Sequence, residues 1–253
     1  MKAIQIRTPS KLDKLECVNL EDPGRPGPGE IRVRLHASSL NYHDYAVANG
    51  AIPTEDRRIP MSDGAGVVEE VGPNVKEFAK GDHVVSCFFP FWQDGLPPHG
   101  NFSHVPGDGL NGFACEVIVC STSWFTRAPK HFSHLEAATL PCAALTAWRA
   151  LFVEGKLKPG ETVLILGTGG VAIFALQFAK MTGARVIVTS SSDAKLERAR
   201  ALGADHTINY KTEPKWGEAV RTLTGGQGVD HVMEIGGPGT LQQSIAATKV
   251  GGH

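Results

Sequence analysis

The segment Thr162-Val163-Leu164-Ile165-Leu166 runs straight into Gly167-Thr168-Gly169-Gly170 and then into an apolar stretch at helical spacing, Val171 to Met181. A short apolar, β-branched run that stops at glycine reads as a strand buried on both faces. Such strands belong to parallel sheets covered by helices. The alternation continues, with strand 185–189, helix 193–202, short strand 206–209, helix 214–223, strand 229–235 and helix 239–247. Strands alternating with helices predict a parallel α/β sheet over the second half of the chain. The stretch from His134 to Val153 is apolar at helical spacing, with Pro141 expected to kink or divide it.

The turn itself fits G-x-G-x-x-G/A, with Gly167, Gly169 and Ala172 at the fixed positions. Glycines let the backbone turn sharply and approach a pyrophosphate, and the helix that follows offers free N–H groups and a partial positive charge. The strand before the turn and the helix after it supply the context that the pattern alone lacks. An ordinary glycine-rich βα turn is the alternative. In NAD-binding sites an acidic residue about 20 positions on accepts from the ribose 2′-hydroxyl. Here the second strand ends in Ser190-Ser191-Ser192, and Asp193 is expected to cap the next helix. Three hydroxyls with Lys195 suit a 2′-phosphate, so NADP(H) is the expected cofactor. A serine-rich helix start with a solvated lysine is the other reading.

The first half has a different period. Ile31, Val33 and Leu35 alternate with Arg32, Arg34 and His36, as in a half-buried strand. Further strands are expected at 2–6, 65–71, 82–88 and 114–120, punctuated by Gly64, Gly66, Gly72 and Gly81. Short strands with Gly/Pro turns suggest a small β-barrel or sandwich. Residues 88–113 are rich in Gly and Pro and show no regular element; a loop that long is usually functional or mobile. The change of period places a boundary near residue 125, giving domains 1–125 and 126–253.

Composition narrows the function class. A net charge of −1 argues against a nucleic-acid partner. No apolar run approaches the roughly 18 residues of a membrane span, and the N-terminus lacks a signal-peptide apolar block. The five cysteines, 17, 87, 115, 120 and 142, form no C-x-x-C pair and fit a reducing, cytoplasmic setting. Glycine is in excess, at 29 of 253 residues or about 11%, against a usual ~7%. Numerous tight turns or ligand-hugging loops follow from that excess.

Several separated motifs resemble one family in the right order. They are Leu40-Asn41-Tyr42-His43-Asp44, Asp63-Gly64-Ala65-Gly66-Val67-Val68-Glu69-Glu70-Val71-Gly72, Gly81-Asp82-His83-Val84, Leu140-Pro141-Cys142-Ala143-Ala144-Leu145-Thr146-Ala147-Trp148 and the glycine turn. Together they resemble the medium-chain dehydrogenase/reductase superfamily over essentially the whole chain, most closely its zinc-independent quinone oxidoreductase and enone reductase branch. The resemblance implies a GroES-like, β-rich catalytic domain, a Rossmann domain with a doubly wound parallel sheet, and hydride transfer from NADP(H) to a small-molecule substrate. It implies that Asn41, Tyr42, His43 and Asp44 serve catalysis. It also implies that Thr146, Gly167, Thr168, Gly169, Gly170, Val171, Ser190, Ser191, Lys195, Tyr210 and Gly236 hold the cofactor.

Zinc divides the branches of that family. A catalytic zinc needs about three protein ligands of Cys, His or carboxylate type. Zinc-dependent members resemble this chain but place Cys at the position of Asn41 and His at that of Ser62; Cys142 stands near the third ligand. Residues 88–113 hold none of the four cysteines of a structural zinc lobe, although His99 and His104 lie there. Metal is therefore not expected. A new site of Cys142, Asp63 and His43 is the remote alternative, and Cys142 as a small buried apolar residue the plain one.

Without zinc the proton must come from a side chain or solvent. Zinc dehydrogenases carry a relay hydroxyl at the position of His43, and a histidine there could transfer a proton near neutral pH. Tyr42 or Tyr45 could donate through the phenol, or His43 could only shape the site. Asp63 is expected to hold a loop rather than act as a base. Phe88, Phe89, Phe91 and Trp92 form either a pocket wall or a minor core. An alcohol dehydrogenase and a non-catalytic NADP(H)-binding sensor remain as alternative functions.

A complete dinucleotide domain has six strands in two halves. Four are countable here before the chain reaches Val250-Gly251-Gly252-His253. The Rossmann domain is thus expected to be C-terminally truncated, and the full-length protein to be a homodimer.

Overall fold

The computed structural model describes residues 1–97 and 104–253. His99 and the middle of the Gly/Pro-rich segment lie outside the described residues. The chain forms two compact units, Met1–Cys142 and Ala143–His253.

In the first unit, strands β1 (Lys2–Ile6) and β2 (Leu15–Asn19) pair antiparallel. The main sheet has five antiparallel strands, β3 (Glu30–Ala37), β4 (Ala65–Val71), β5 (His83–Ser86), β6 (Val117–Ser121) and β7 (Phe125–Arg127), in the order β6-β3-β4-β5-β7. The alternation in β3 is realised: Ile31 and Val33 are fully buried while Arg34 and His36 face outward. They pack with Val68, Val84, Phe113 and Phe125. Fully burying one such side chain stabilises the fold by about 1.5–3 kcal/mol. Two short helices complete the unit, α1 (Tyr42–Ala48) and α2 (His134–Ala137).

Three expectations need correction here. Strand 82–88 is regular only over His83–Ser86, and strand 114–120 begins at Val117. β2 has no counterpart in the sequence reading, because its residues are mostly exposed and do not alternate. The helical stretch around Pro141 is divided, as expected, with α2 ending at Ala137. It passes through a π-helical turn, Leu140–Ala144, as proline lacks the N–H for an ordinary helical bond.

In the second unit, the helical path continues as α3 (Leu145–Trp148) and a second π-helical turn, Arg149–Glu154. Then β8 (Thr162–Leu166), α4 (Gly170–Thr182), β9 (Arg185–Ser190), α5 (Asp193–Ala201), β10 (His206–Asn209), α6 (Trp216–Leu223), β11 (His231–Met233) and α7 (Leu241–Ala247) alternate as expected. The sheet is parallel in the order β10-β9-β8-β11. Every residue of the central strand β8 is buried. α3 and α4 share one core, through Ala147, Ala172 and Ala175. This is a GroES-like unit followed by a Rossmann-type parallel sheet. Among the described residues no helix is long and apolar enough to cross a membrane.

Strand 229–235 is shorter than expected. The ladder stops at Met233, since the next residue, Glu234, turns its carboxylate onto the amides of Gly236 (2.8 Å) and Gly237 (3.0 Å). Asp193 does not cap α5 either; Ser192 holds that position, and Asp193 accepts from the Asn209 side-chain amide at 2.7 Å.

Candidate active site

In the first unit a polar cluster forms where α1 starts. Asn41 is its N-terminal cap, and Asp44 sits three residues on. One Asp44 oxygen accepts the Asn41 backbone N–H at 2.8 Å and the other accepts the Ser62 N–H at 2.8 Å. A single carboxylate thereby closes the helix start, as capping boxes do, and ties it to the segment before β4. Asp44, Ser62 and Asp63 are all buried.

That segment is built under constraint. Met61 has a left-handed backbone (φ 80°), a costly conformation for a residue with a side chain. It is held by main-chain bonds from Phe113 to Met61 (2.9 Å) and from Gly112 to Ile59 (2.7 Å). A Cβ at Gly112 would lie 2.1 Å from the Met61 carbonyl oxygen, so only glycine fits there.

Asp63 is fully buried. Its Oδ2 accepts from Asn41 Nδ2 at 2.8 Å, while Oδ1 has no hydrogen-bond partner among the described residues. Burial, followed by the charge of Asp44, pushes its carboxyl up to about 7, against the lowering effect of Asn41 and the nearby Cys142 amide. Burial, then the charges of Asp63 and Asp44, push the Cys142 thiol up to about 12.

His43 lies between carboxylates. Its Nε2 is 2.9 Å from Asp108 Oδ2, and its Nδ1 is 3.7 Å from Asp44 Oδ1. Nδ1 is buried and has no hydrogen-bond partner among the described residues. Burial lowers the basicity of the ring, but the neighbouring carboxylates of Asp44 and Asp108 outweigh it and the net shift is upward. The edge of Phe88 meets the ring at 5.4 Å. Phe88, Phe89 and Trp92 continue from it as a chain of ring contacts, whereas Phe91 is exposed and contacts His104 at 5.8 Å.

The structure thus brings together Asn41, His43 and Asp44 with Ser62, Asp63, Asp108 and Cys142. Tyr42 and Tyr45 are exposed, with their rings 5.9 Å apart, and no hydrogen bond joins either phenol to this cluster among the described residues. Asp108 had no sequence signal, being 65 residues from His43 in a segment without periodicity.

The donor set does not suit a zinc ion. Asn41 presents its Nδ2 as a donor to Asp63 and, at 3.3 Å, to Ser62 Oγ. An amide N–H so engaged is no ligand. Among the described residues no group of three or more His, Cys, Asp or Glu is placed to hold a metal.

In the second unit the glycine turn joins β8 to α4. Gly167 has φ 78°, the left-handed conformation that glycine alone adopts freely, and Gly169 caps the helix. Thr168 and Gly170 complete the turn; a Cβ at Gly170 would lie 3.2 Å from that of Ala143. Val171 opens α4 against the core, and Thr146 is exposed on α3. Ser190 ends β9 buried, its Oγ accepting from the Ser192 amide at 3.4 Å. The Tyr210 amide bonds the Ser190 carbonyl at 3.1 Å, so these two positions adjoin. Lys195 is exposed on α5. Gly236 lies in a loop held by Glu234, which also accepts from Thr240 Oγ1 at 2.7 Å and from Ser244 Oγ. Glu234 was missed in the sequence; the acid just before the Ile235-Gly236-Gly237 turn is the signal that could have found it. The turn has the free helix-start amides and close backbone access that a dinucleotide pyrophosphate needs.

Comparison with known proteins agrees with this architecture. Residues 27–130 match the alcohol dehydrogenase GroES-like domain and residues 170–253 the zinc-binding dehydrogenase family. A zinc-type alcohol dehydrogenase-like protein of Schizosaccharomyces pombe is 48% identical, over 94% of this chain and 70% of its own length. A 2-haloacrylate reductase of a Burkholderia species is 35% identical, over 88% of this chain and 62% of its own length. A putative alcohol dehydrogenase from Sinorhizobium meliloti superposes with a TM-score of 0.92 at 44% identity, covering 99% of this chain and 74% of that one. Escherichia coli quinone oxidoreductase in complex with NADPH gives 0.82 at 26% identity, covering 98% and 70%. The chain belongs to the medium-chain dehydrogenase/reductase superfamily. It is an oxidoreductase of that superfamily.

Proposed function

We propose that this chain is a zinc-independent, NADP(H)-dependent reductase of quinones or α,β-unsaturated carbonyl compounds, working in the cytoplasm as a homodimer. The observation that carries this reading is Asn41, whose side-chain amide occupies the centre of the polar cluster as a hydrogen-bond donor. Where a metal would polarise a carbonyl, this cluster offers neutral donors and a histidine. The 2-haloacrylate reductase and the NADPH-bound quinone oxidoreductase among its relatives support the substrate class.

Bound NADPH supplies the hydride. Each two-electron reduction then needs one proton, at a quinone oxygen or at the carbon α to the carbonyl. His43 holds that proton between Asp44 and Asp108, and Asn41 and Asp44 fix the helix start that carries it. Asp63 acts as a buried hydrogen-bond partner of Asn41. Gly167, Thr168, Gly169, Gly170 and Val171 seat the pyrophosphate, with Thr146 and Gly236 nearer the nicotinamide. Ser190, Ser191, Lys195 and Tyr210 receive the adenosine 2′-phosphate. No carboxylate precedes Ser192 at the end of β9, and Asp193 is engaged by Asn209.

A panel assay of NADPH and NADH oxidation over quinones, enones and aldehydes tests the reading. Turnover of quinones or enones with NADPH is expected. Turnover confined to alcohols and ketones would instead favour the second reading, an alcohol dehydrogenase, which the name of the S. meliloti relative supports.

A further inference from the structure

We propose that Asp108 is a positioning residue: it fixes His43 with its proton on Nε2, so that the proton the ring gains and loses is the one on Nδ1. The inference rests on the reading of His43 as the proton source.

The two ring nitrogens have unequal surroundings. Nε2 meets the Asp108 carboxylate at 2.9 Å, while Nδ1 is buried and, among the described residues, unpartnered, with Asp44 Oδ1 beyond bonding distance at 3.7 Å. An oxygen acceptor 2.9 Å from Nε2 demands a hydrogen there. Nδ1 then carries either a lone pair or the second proton. A buried lone pair without a donor is costly. The cation instead aims Nδ1–H at Asp44. Loss of that proton leaves a neutral ring with its Nε2–H still on Asp108, and the aspartate keeps its charge throughout.

Asp108 is itself held by the main chain. Its carboxylate accepts the Gly109 amide, its carbonyl accepts from Thr54 Oγ1 at 2.6 Å, and its amide bonds Val105 at 3.3 Å. A bridge between Pro106 and Leu110 closes the turn. The groups that face His43 are Asp44 on its own helix, Asp63 before β4, and Asp108; Phe88 presents only a ring edge. On its other side Asp108 lines a cleft of about 370 Å³ with Thr54, Glu55, Arg58 and His104. Arg58 is engaged there by Glu55 at 2.8 Å and by Thr54 at 3.3 Å, so it does not compete for Asp108.

The experiment is a ring ¹H–¹⁵N NMR titration of His43 in the wild type, Asp108→Asn and Asp108→Glu, beside the pH–rate profile with NADPH and a quinone. Asparagine can still accept from Nε2–H but has no charge. The His43 midpoint should fall by about one pH unit in Asp108→Asn, which is about tenfold in proton affinity. The basic limb of the rate profile should follow it, with NADPH affinity unchanged. Asp108→Glu should recover part of both. An unmoved His43 midpoint, or a neutral ring protonated on Nδ1, overturns the inference by itself. A midpoint that moves while the rate limb stays overturns the role of His43 as proton source, and the inference with it.

Discussion

The polar cluster around Asp63 and the glycine turn after β8 are built from opposite materials. The cluster gathers three carboxyls, an imidazole and a thiol into buried space, and Asp63, His43 and Cys142 are all displaced from their ordinary acidities. The turn offers main-chain amides and glycines and no ionisable side chain of its own. Moving protons requires groups whose charge changes near the working pH. Holding phosphates is best done by fixed dipoles that stay the same at any pH. On the proposed function the two units divide these tasks, so damage to one should read out in turnover and damage to the other in affinity.

The largest test of that division is His43→Gln. Turnover should fall by about 10²–10⁴, the usual worth of a general acid, while NADPH binding by fluorescence titration stays unchanged. A parallel loss of binding would break the comparison.

Asp63 comes next. Its folded carboxyl, at about 7, is raised above its ordinary 3.8, so the folded state holds the proton more tightly. Stability is then greatest below pH 4 as far as this group is concerned, and falls as pH rises from about 4 to 7, by up to roughly 4 kcal/mol. Asp63→Asn should flatten the fall in melting temperature between pH 5 and pH 8. An equally steep fall in the variant would show that Asp63 is ionised at little cost.

Gly112→Ala drives a methyl group into the Met61 carbonyl. We expect a loss of about 1–3 kcal/mol in denaturant melts, together with slower turnover, although no polar group is removed. In the other unit, Ser190→Asp should shift preference from NADPH toward NADH by about tenfold or more, equivalent to ~1.4 kcal/mol. A carboxylate repels the 2′-phosphate and accepts from a ribose hydroxyl; kcat should hold. The smallest expected effect is that of a chelator. EDTA or phenanthroline should leave activity unchanged, and restoration of lost activity by zinc would remove the account of Asn41.

The glycine turn and the β/α alternation were legible because their residues are neighbours in sequence. Strand β8, its turn and α4 form one continuous run, and the periodicity located each within a residue or two. The polar cluster was legible only in part. Asn41, His43 and Asp44 share one motif, but Asp108 joins them from a segment with no period to read. The burial that shifts Asp63 is a property of the folded unit alone. Short exposed strands such as β2 escaped for a related reason, as a strand that buries little leaves no alternating pattern. Strand 229–235 was overextended because Ile235 continues the apolar pattern, while the Glu234 carboxylate takes the neighbouring amides out of the ladder.

The π-helical turn at Leu140–Ala144 makes this part of the chain sensitive to length as well as to composition. It brings the Cys142 amide close to the Asp63 carboxyl. Deleting one residue there would let ordinary helical pairing resume and swing Cys142 by about 100° around the helix axis. The acid would lose the amide that offsets its burial and become harder to ionise. A single-codon deletion there would therefore retune the acidity of a carboxyl nearly 80 positions away (Asp63 to Cys142).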